Sequence, residues 1–113
     1  MSTPIVRMTL FKVPDESNIE AALAKYATLK QDALKNNSPY ILSVNASKTY
    51  SDPRNQGFTI CARTIFASIE DMQYYDTECA AHQGIKEALK GKVSQPGGVL
   101  MVYMDADKEK LGL

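Results

Sequence analysis

The sequence predicts an α+β fold of the ferredoxin-like type, β-α-β-β-α-β in chain order, with four antiparallel strands carrying two helices on one face. Three observations lead there. Stretches of period-two alternation and of helical spacing follow one another in that order. The chain has 113 residues, 44% hydrophobic and 23% charged, the size and composition of one globular domain. Its turn clusters fall between the periodic stretches.

Residues 5–13 form the first expected strand, with Val6, Met8 and Leu10 on one face and Arg7, Thr9 and Phe11 on the other. Pro14, Asp15 and Glu16 break it. Ser17 and Glu20 have the spacing of a capping box, in which each side chain satisfies a free backbone N–H, so a helix is expected to begin there. Ile19, Ala22, Leu23, Tyr26, Leu29 and Ala33 recur at helical spacing and give it one buried stripe. Asn36, Asn37, Ser38 and Pro39 are expected to end it, because Asn tolerates a left-handed cap and Pro cannot continue a helix.

Residues 40–50 alternate Tyr40, Leu42, Val44 and Ala46 with Ile41, Ser43, Asn45 and Ser47, the pattern of a half-buried strand. A turn cluster over 51–57 leads to a third strand over 58–66. Ser68, followed by Ile69, Glu70 and Asp71, again resembles a capping box; it precedes 72–75 and then a second helical run over 80–90, closed by Gly91. Pro96, Gly97 and Gly98 turn the chain into the last strand, 99–104. Residues 105–113 lack a pattern, so one domain is expected over 1–113, with its core in 5–104 and a frayed tail.

Thirteen Lys and Arg balance thirteen Asp and Glu, a formal net charge of zero. Binding to nucleic acid through phosphates, or to an anionic membrane through charge, calls for a basic excess, so neither partner is expected. The same topology occurs in RNA-recognition motifs, but the positions that would carry a basic residue and stacking aromatics hold Gln56, Ile60 and Arg63. The longest apolar stretch, 99–104, is far short of the ~20 residues that span a bilayer. The N-terminal residues show no secretory pattern, so a cytoplasmic location is expected. Cys61 and Cys79 fit no metal spacing and read as buried thiols. With no His/Cys cluster and no Gly-rich loop opening a helix, neither a metal nor another cofactor is expected.

The open face of the sheet is the informative anomaly. The last strand is apolar on both sides, Val99, Met101 and Tyr103 against Leu100, Val102 and Met104, and the first strand adds Val6, Met8 and Leu10. Two helices cover one face only, and a second copy of the sheet is the simplest cover for the other. A homodimer is therefore expected, its two sheets packed face to face in an isologous contact.

Taken together, these residues resemble the stress-responsive A/B barrel (Dabb) proteins, a family of dimeric α/β barrels. The resemblance covers 5–104. It rests on Val6-Arg7-Met8-Thr9-Leu10-Phe11-Lys12, on the Phe66-Ala67-Ser68 corner, and on Asp71-Met72-Gln73-Tyr74-Tyr75 followed by Ala81-His82, a segment most like that of fungal members. It implies a stress-associated homodimer that binds a small, mostly apolar molecule between helices and sheet. It also implies an alternative, a cofactor-independent enzyme, since the family includes a plant polyketide cyclase performing an intramolecular aldol condensation and a plant hydroxynitrile lyase. In the cyclase a Tyr and a His beside the second helix act on the substrate. His82 matches that His, and Tyr75 best matches that Tyr at an interval one residue longer, which leaves Tyr74 open. Arg7 stands where many members have His, and Ile60 where the cyclase has a pocket His.

His82 is the one histidine, and an ordinary pKa of ~6.5 suits a general base at neutral pH. On an ideal helix it lies about 75° from the centre of the Ala81, Ile85, Ala88, Leu89 stripe, at the edge from which a side chain can look inward. The plainer reading is a partly buried His with one backbone hydrogen bond. A Tyr75 phenol near it would hold a carbonyl or enolate oxygen; the plainer reading of Tyr75 is packing. Arg7, in an apolar strand, needs either a carboxylate partner or an anionic ligand. Thr9 and Ala62 occupy strand positions facing the expected cavity, and Tyr26 and Tyr103 are candidate walls. The expected catalytic pair is therefore His82 and Tyr75, and the expected ligand-binding set is Arg7, Thr9, Tyr26, Ile60, Ala62, Tyr74 and Tyr103.

Overall fold

In a computed structural model, which describes residues 3–107, the alternating segments become β1 (Ile5–Phe11), β4 (Ile41–Lys48), β5 (Ile60–Phe66) and β6 (Val99–Asp105). They form one antiparallel sheet in the order β4-β5-β1-β6, the ferredoxin-like arrangement. Period two puts Ile5, Arg7, Thr9 and Phe11 of β1 on the face under the helices, opposite Phe66, Thr64, Ala62 and Ile60 of β5. All eight are buried. On β4 the alternation slips once. A bulge between Ile41 and Ser43 leaves Leu42 without a partner, so Ile41 before it and Val44 and Ala46 after it all pack on the core.

Each expected helix is broken in two. The first begins at Asp15, not Ser17: α1 (Glu16–Ala27) is capped by the Asp15 carboxylate, which accepts from the Ser17 hydroxyl and from the Ser17 backbone N–H, bonds that hold its pKa below the usual range. Asp and Ser are comparable caps, and the earlier one takes the position. The helix stops at Thr28 and resumes as α2 (Leu29–Asp32). Asn36 and Asn37 do not cap it. Both adopt positive φ, 54° and 64°, and turn a small hairpin between β2 (Leu34–Lys35) and β3 (Ser38–Pro39). The second helix is α3 (Ile69–Thr77), capped by Ser68 as expected, and α4 (Ala80–Leu89). Ile19, Ala22, Tyr26 and Leu29 from the first pair meet Met72, Tyr75, Ile85 and Leu89 from the second over the sheet. Burying a large apolar side chain in such a core contributes about 1.5–3 kcal/mol.

The helices pack on β4 and β5, and the same face of β1 is buried, but β6 is left exposed, which corrects the expectation that they cover one whole face. Val99, Met101 and Tyr103 fall on the helix side, across from Phe11, Thr9 and Arg7, and are nevertheless exposed. Leu100, Val102 and Met104 are exposed on the other side. There Val6, Ile65 and Ala106 form a small second cluster with Met8. Nor is the start of the expected tail frayed: Asp105 completes β6, and the Ala106 N–H donates to the Pro4 carbonyl at 2.8 Å. Residues 108–113 lie outside the described residues.

A candidate site between helices and sheet

The break between α3 and α4 makes the site. In a continuous helix the Tyr75 carbonyl would accept from the Cys79 N–H, but here both Glu78 and Cys79 donate to Tyr74 instead. The Tyr75 carbonyl is left over, one of the acceptors that every helix end orphans. His82, in the first turn of α4, fills it through Nδ1 at 2.8 Å. A carbonyl only accepts, so Nδ1 carries the hydrogen and Nε2 is the basic nitrogen. The imidazole lies flat on the Tyr75 ring, centroids 3.8 Å apart and planes within 12°. Burial pushes the His82 pKa down from 6.5 to about 4, so the ring is neutral at pH 7.

Beneath the pair lies Arg7 of β1. Its guanidinium is buried, sits 5.3 Å from the Tyr75 ring centroid, and gives Nη1 to Asp76 Oδ1 at 2.7 Å and Nε to Thr9 Oγ1 at 3.5 Å. Asp76 Oδ1 also stands 3.8 Å from His82 Nδ1, near the neutral imidazole but outside hydrogen-bond distance. Burial raises the phenol pKa of Tyr75 and pushes that of Tyr26 up to about 12, keeping both hydroxyls as donors. Between these groups is a cavity of about 20 Å³, room for about a single water.

Of the residues expected from sequence, His82, Tyr75, Arg7, Thr9, Tyr26 and Ala62 line that cavity. Three do not. Ile60 lies at the start of β5, packed into the core with no exposed surface. Tyr74 points away along α3: its hydroxyl donates to the Leu34 carbonyl at 3.1 Å and its ring meets Tyr40 edge-on. Tyr103 is on the right face but stays in the open, because no helix extends over β6. Phe11 and Thr64 line the cavity without having been expected there; strand alternation from Thr9 and Ala62 was the available signal. Asp76 carried no such signal. A larger groove of about 660 Å³, between α1, α2 and β4, was not foreseen either. Cys79 is buried and Cys61 half-buried, and among the described residues no three His, Cys, Asp or Glu side chains could hold a metal. Nor is any described helix long and apolar enough to cross a membrane.

The family model described as the Stress responsive A/B Barrel Domain matches residues 5–102. The chain belongs to this family. Among the relatives of this A/B barrel chain is a Fusaristatin A biosynthesis cluster protein of Gibberella zeae, 41% identical over 97 residues that span 86% of this chain and 70% of the relative. The same fold is found in the hydroxynitrile lyase of Passiflora edulis, 11% identical, TM-score 0.71, covering 96% of this chain and 97% of that one. It is also found in a dimeric ferredoxin-like protein of Thermobifida fusca, 10% identical, TM-score 0.74, covering 94% and 93%. At these identities the two structures share the ferredoxin-like fold with this chain.

Proposed function

We propose that this A/B barrel protein is a homodimer that binds a small, mostly apolar molecule by an oxygen-bearing end placed in the cavity between helices and sheet. The observation that carries the reading is the cavity wall itself: Arg7, Thr9, Thr64 and His82 converge from three elements into one buried, otherwise apolar place. Among the described residues Arg7 Nη2 and His82 Nε2 have no hydrogen bond there, which leaves one donor and one acceptor for a ligand. The dimer is supported by the uncovered apolar face of β1 and β6, and by the dimeric neighbour of the same fold. Calorimetric titration with phenylacetone, a small ketone with an apolar body, tests the binding. Wild type is expected to bind, and Ala62→Leu, which fills the cavity from β5, at least tenfold more weakly. Equal affinity of the two overturns the reading.

A second reading is enzymatic, and the His82 tautomer favours it. With Nδ1 held by the Tyr75 carbonyl, Nε2 is free to take a proton from carbon beside a carbonyl. The C–H electron pair moves into a C=C bond and the carbonyl pair onto oxygen, where the Tyr75 hydroxyl and the Arg7 guanidinium are the available donors. The proton on Nε2 then returns to carbon or exchanges with solvent. Deuterium incorporation into phenylacetone in D₂O is the test: wild type is expected to exceed His82→Gln at least tenfold. Equal rates would remove His82 from the base role.

A further inference from the structure

We infer that Asp76 sets the ligand charge that the His82 cavity accepts: by neutralising Arg7 in advance it selects uncharged carbonyl compounds and turns carboxylates away, which rests on the cavity being a ligand site and adds the class of oxygen it takes. An arginine buried in an apolar strand needs an anion from somewhere, the protein or a ligand. Here the protein supplies it. Asp76 Oδ1 stands 2.7 Å from Arg7 Nη1, a bond across 69 positions of sequence that ties α3 to β1. Arg7 is a wall of the cavity and Asp76 is not. Asp76 is therefore a positioning residue, which acts on a ligand through the guanidinium.

Among the described residues the charges at the cavity cancel. Arg7 carries a positive charge and Asp76 a negative one, and burial holds His82 neutral at pH 7. Thr9, Thr64, Tyr26 and Tyr75 add hydroxyls and no charge. Lys86 Nζ lies 3.5 Å from the Asp76 backbone carbonyl, but that ammonium is exposed, and water and salt screen it. A carbonyl oxygen needs one donor, and Arg7 Nη2, which has no hydrogen bond among the described residues, is one. A carboxylate needs more. It gives up its hydration on entering a buried place and recovers that cost only against an unpaired cation. The guanidinium in the wall already has its anion, so a second anion must share it against the repulsion of Asp76 or break the 2.7 Å bond. Either route costs affinity that an uncharged ligand of the same shape keeps.

Phenylacetone and phenylacetate have the same shape and differ in charge, a methyl of one standing where the other has its second carboxylate oxygen. In calorimetric titration of both at pH 7, wild type is expected to bind phenylacetone at least tenfold more tightly. Asp76→Asn keeps an oxygen for Arg7 Nη1 and removes the charge; it is expected to shift the ratio of the two dissociation constants at least tenfold toward phenylacetate. Asp76→Glu restores the charge and is expected to return the preference to phenylacetone. A residue that merely braced the fold would weaken both ligands together, so an unchanged ratio in Asp76→Asn overturns the inference. Wild type binding phenylacetate as tightly as phenylacetone overturns it too, and that result needs no variant to fold. Both outcomes leave the cavity reading intact. Wild type binding neither compound removes both.

Discussion

His82 and Tyr75 are held together twice, ring on ring at 3.8 Å between centroids and Nδ1 to the Tyr75 backbone carbonyl at 2.8 Å. The second contact exists because α3 ends at Thr77 and its final carbonyls lose their helical donors. A local interruption of helix thus fixes the tautomer of the one histidine.

That burial has a consequence for stability. The folded-state pKa of His82, about 4, lies below its ordinary 6.5, so between those values the unfolded chain binds a proton that the folded chain does not. Stability is expected to be full above pH ~6.5 and to fall as pH drops toward 4, by at most about 3 kcal/mol from this group. Urea unfolding at a series of pH values checks it. The slope over that window is expected to flatten in His82→Gln, and an unchanged slope in the variant would contradict the assignment.

Two ion pairs of similar length should differ in worth. The Lys48–Glu16 pair is exposed on both sides, so Lys48→Ala is expected to cost under ~1 kcal/mol. Asp76 partners a buried guanidinium, and Asp76→Ala strands it. Because Asp76 is itself partly exposed, water recovers some of the loss, and about 1–3 kcal/mol is expected. Denaturant midpoints for the two variants measure the contrast.

The exposed row of Leu100, Val102 and Met104 beside Val6 and Met8 is the surface assigned to the second copy. Val102→Asp places a charge in its middle. Sedimentation velocity at micromolar concentration is expected to show a dimer for wild type and a folded monomer for the variant. A wild-type monomer would remove the dimer from the account.

Much of this was legible because strands repeat every two residues: once Arg7 is placed, Thr9 and the facing Ala62 follow. His82 was legible as the edge of a helical stripe. Tyr103 shows where such reasoning ends. Alternation puts it on the correct face, opposite Arg7, but whether a helix reaches over β6 depends on packing that no local pattern encodes. Asp76 meets Arg7 across 69 positions of sequence, through the angle at which α3 lies on the sheet. The Asn36, Asn37 turn was legible in principle, since consecutive Asn residues favour the paired left-handed conformations of a tight hairpin. A helix cap and a hairpin turn draw on the same preference, and only the pairing of Lys35 with Ser38 decides between them.

We propose that a neutral His82 turns the lone pair of Nε2 toward a carbon-bound or hydroxyl proton of a ligand inside the helix-to-sheet cavity. A long-range ¹H–¹⁵N correlation spectrum of the imidazole at pH 7, recorded without and with phenylacetone, addresses it most directly. The expected spectrum is that of the Nδ1–H tautomer with an unprotonated Nε2 whose resonance moves on titration. A protonated ring, the Nε2–H tautomer, or an Nε2 resonance indifferent to phenylacetone would contradict it.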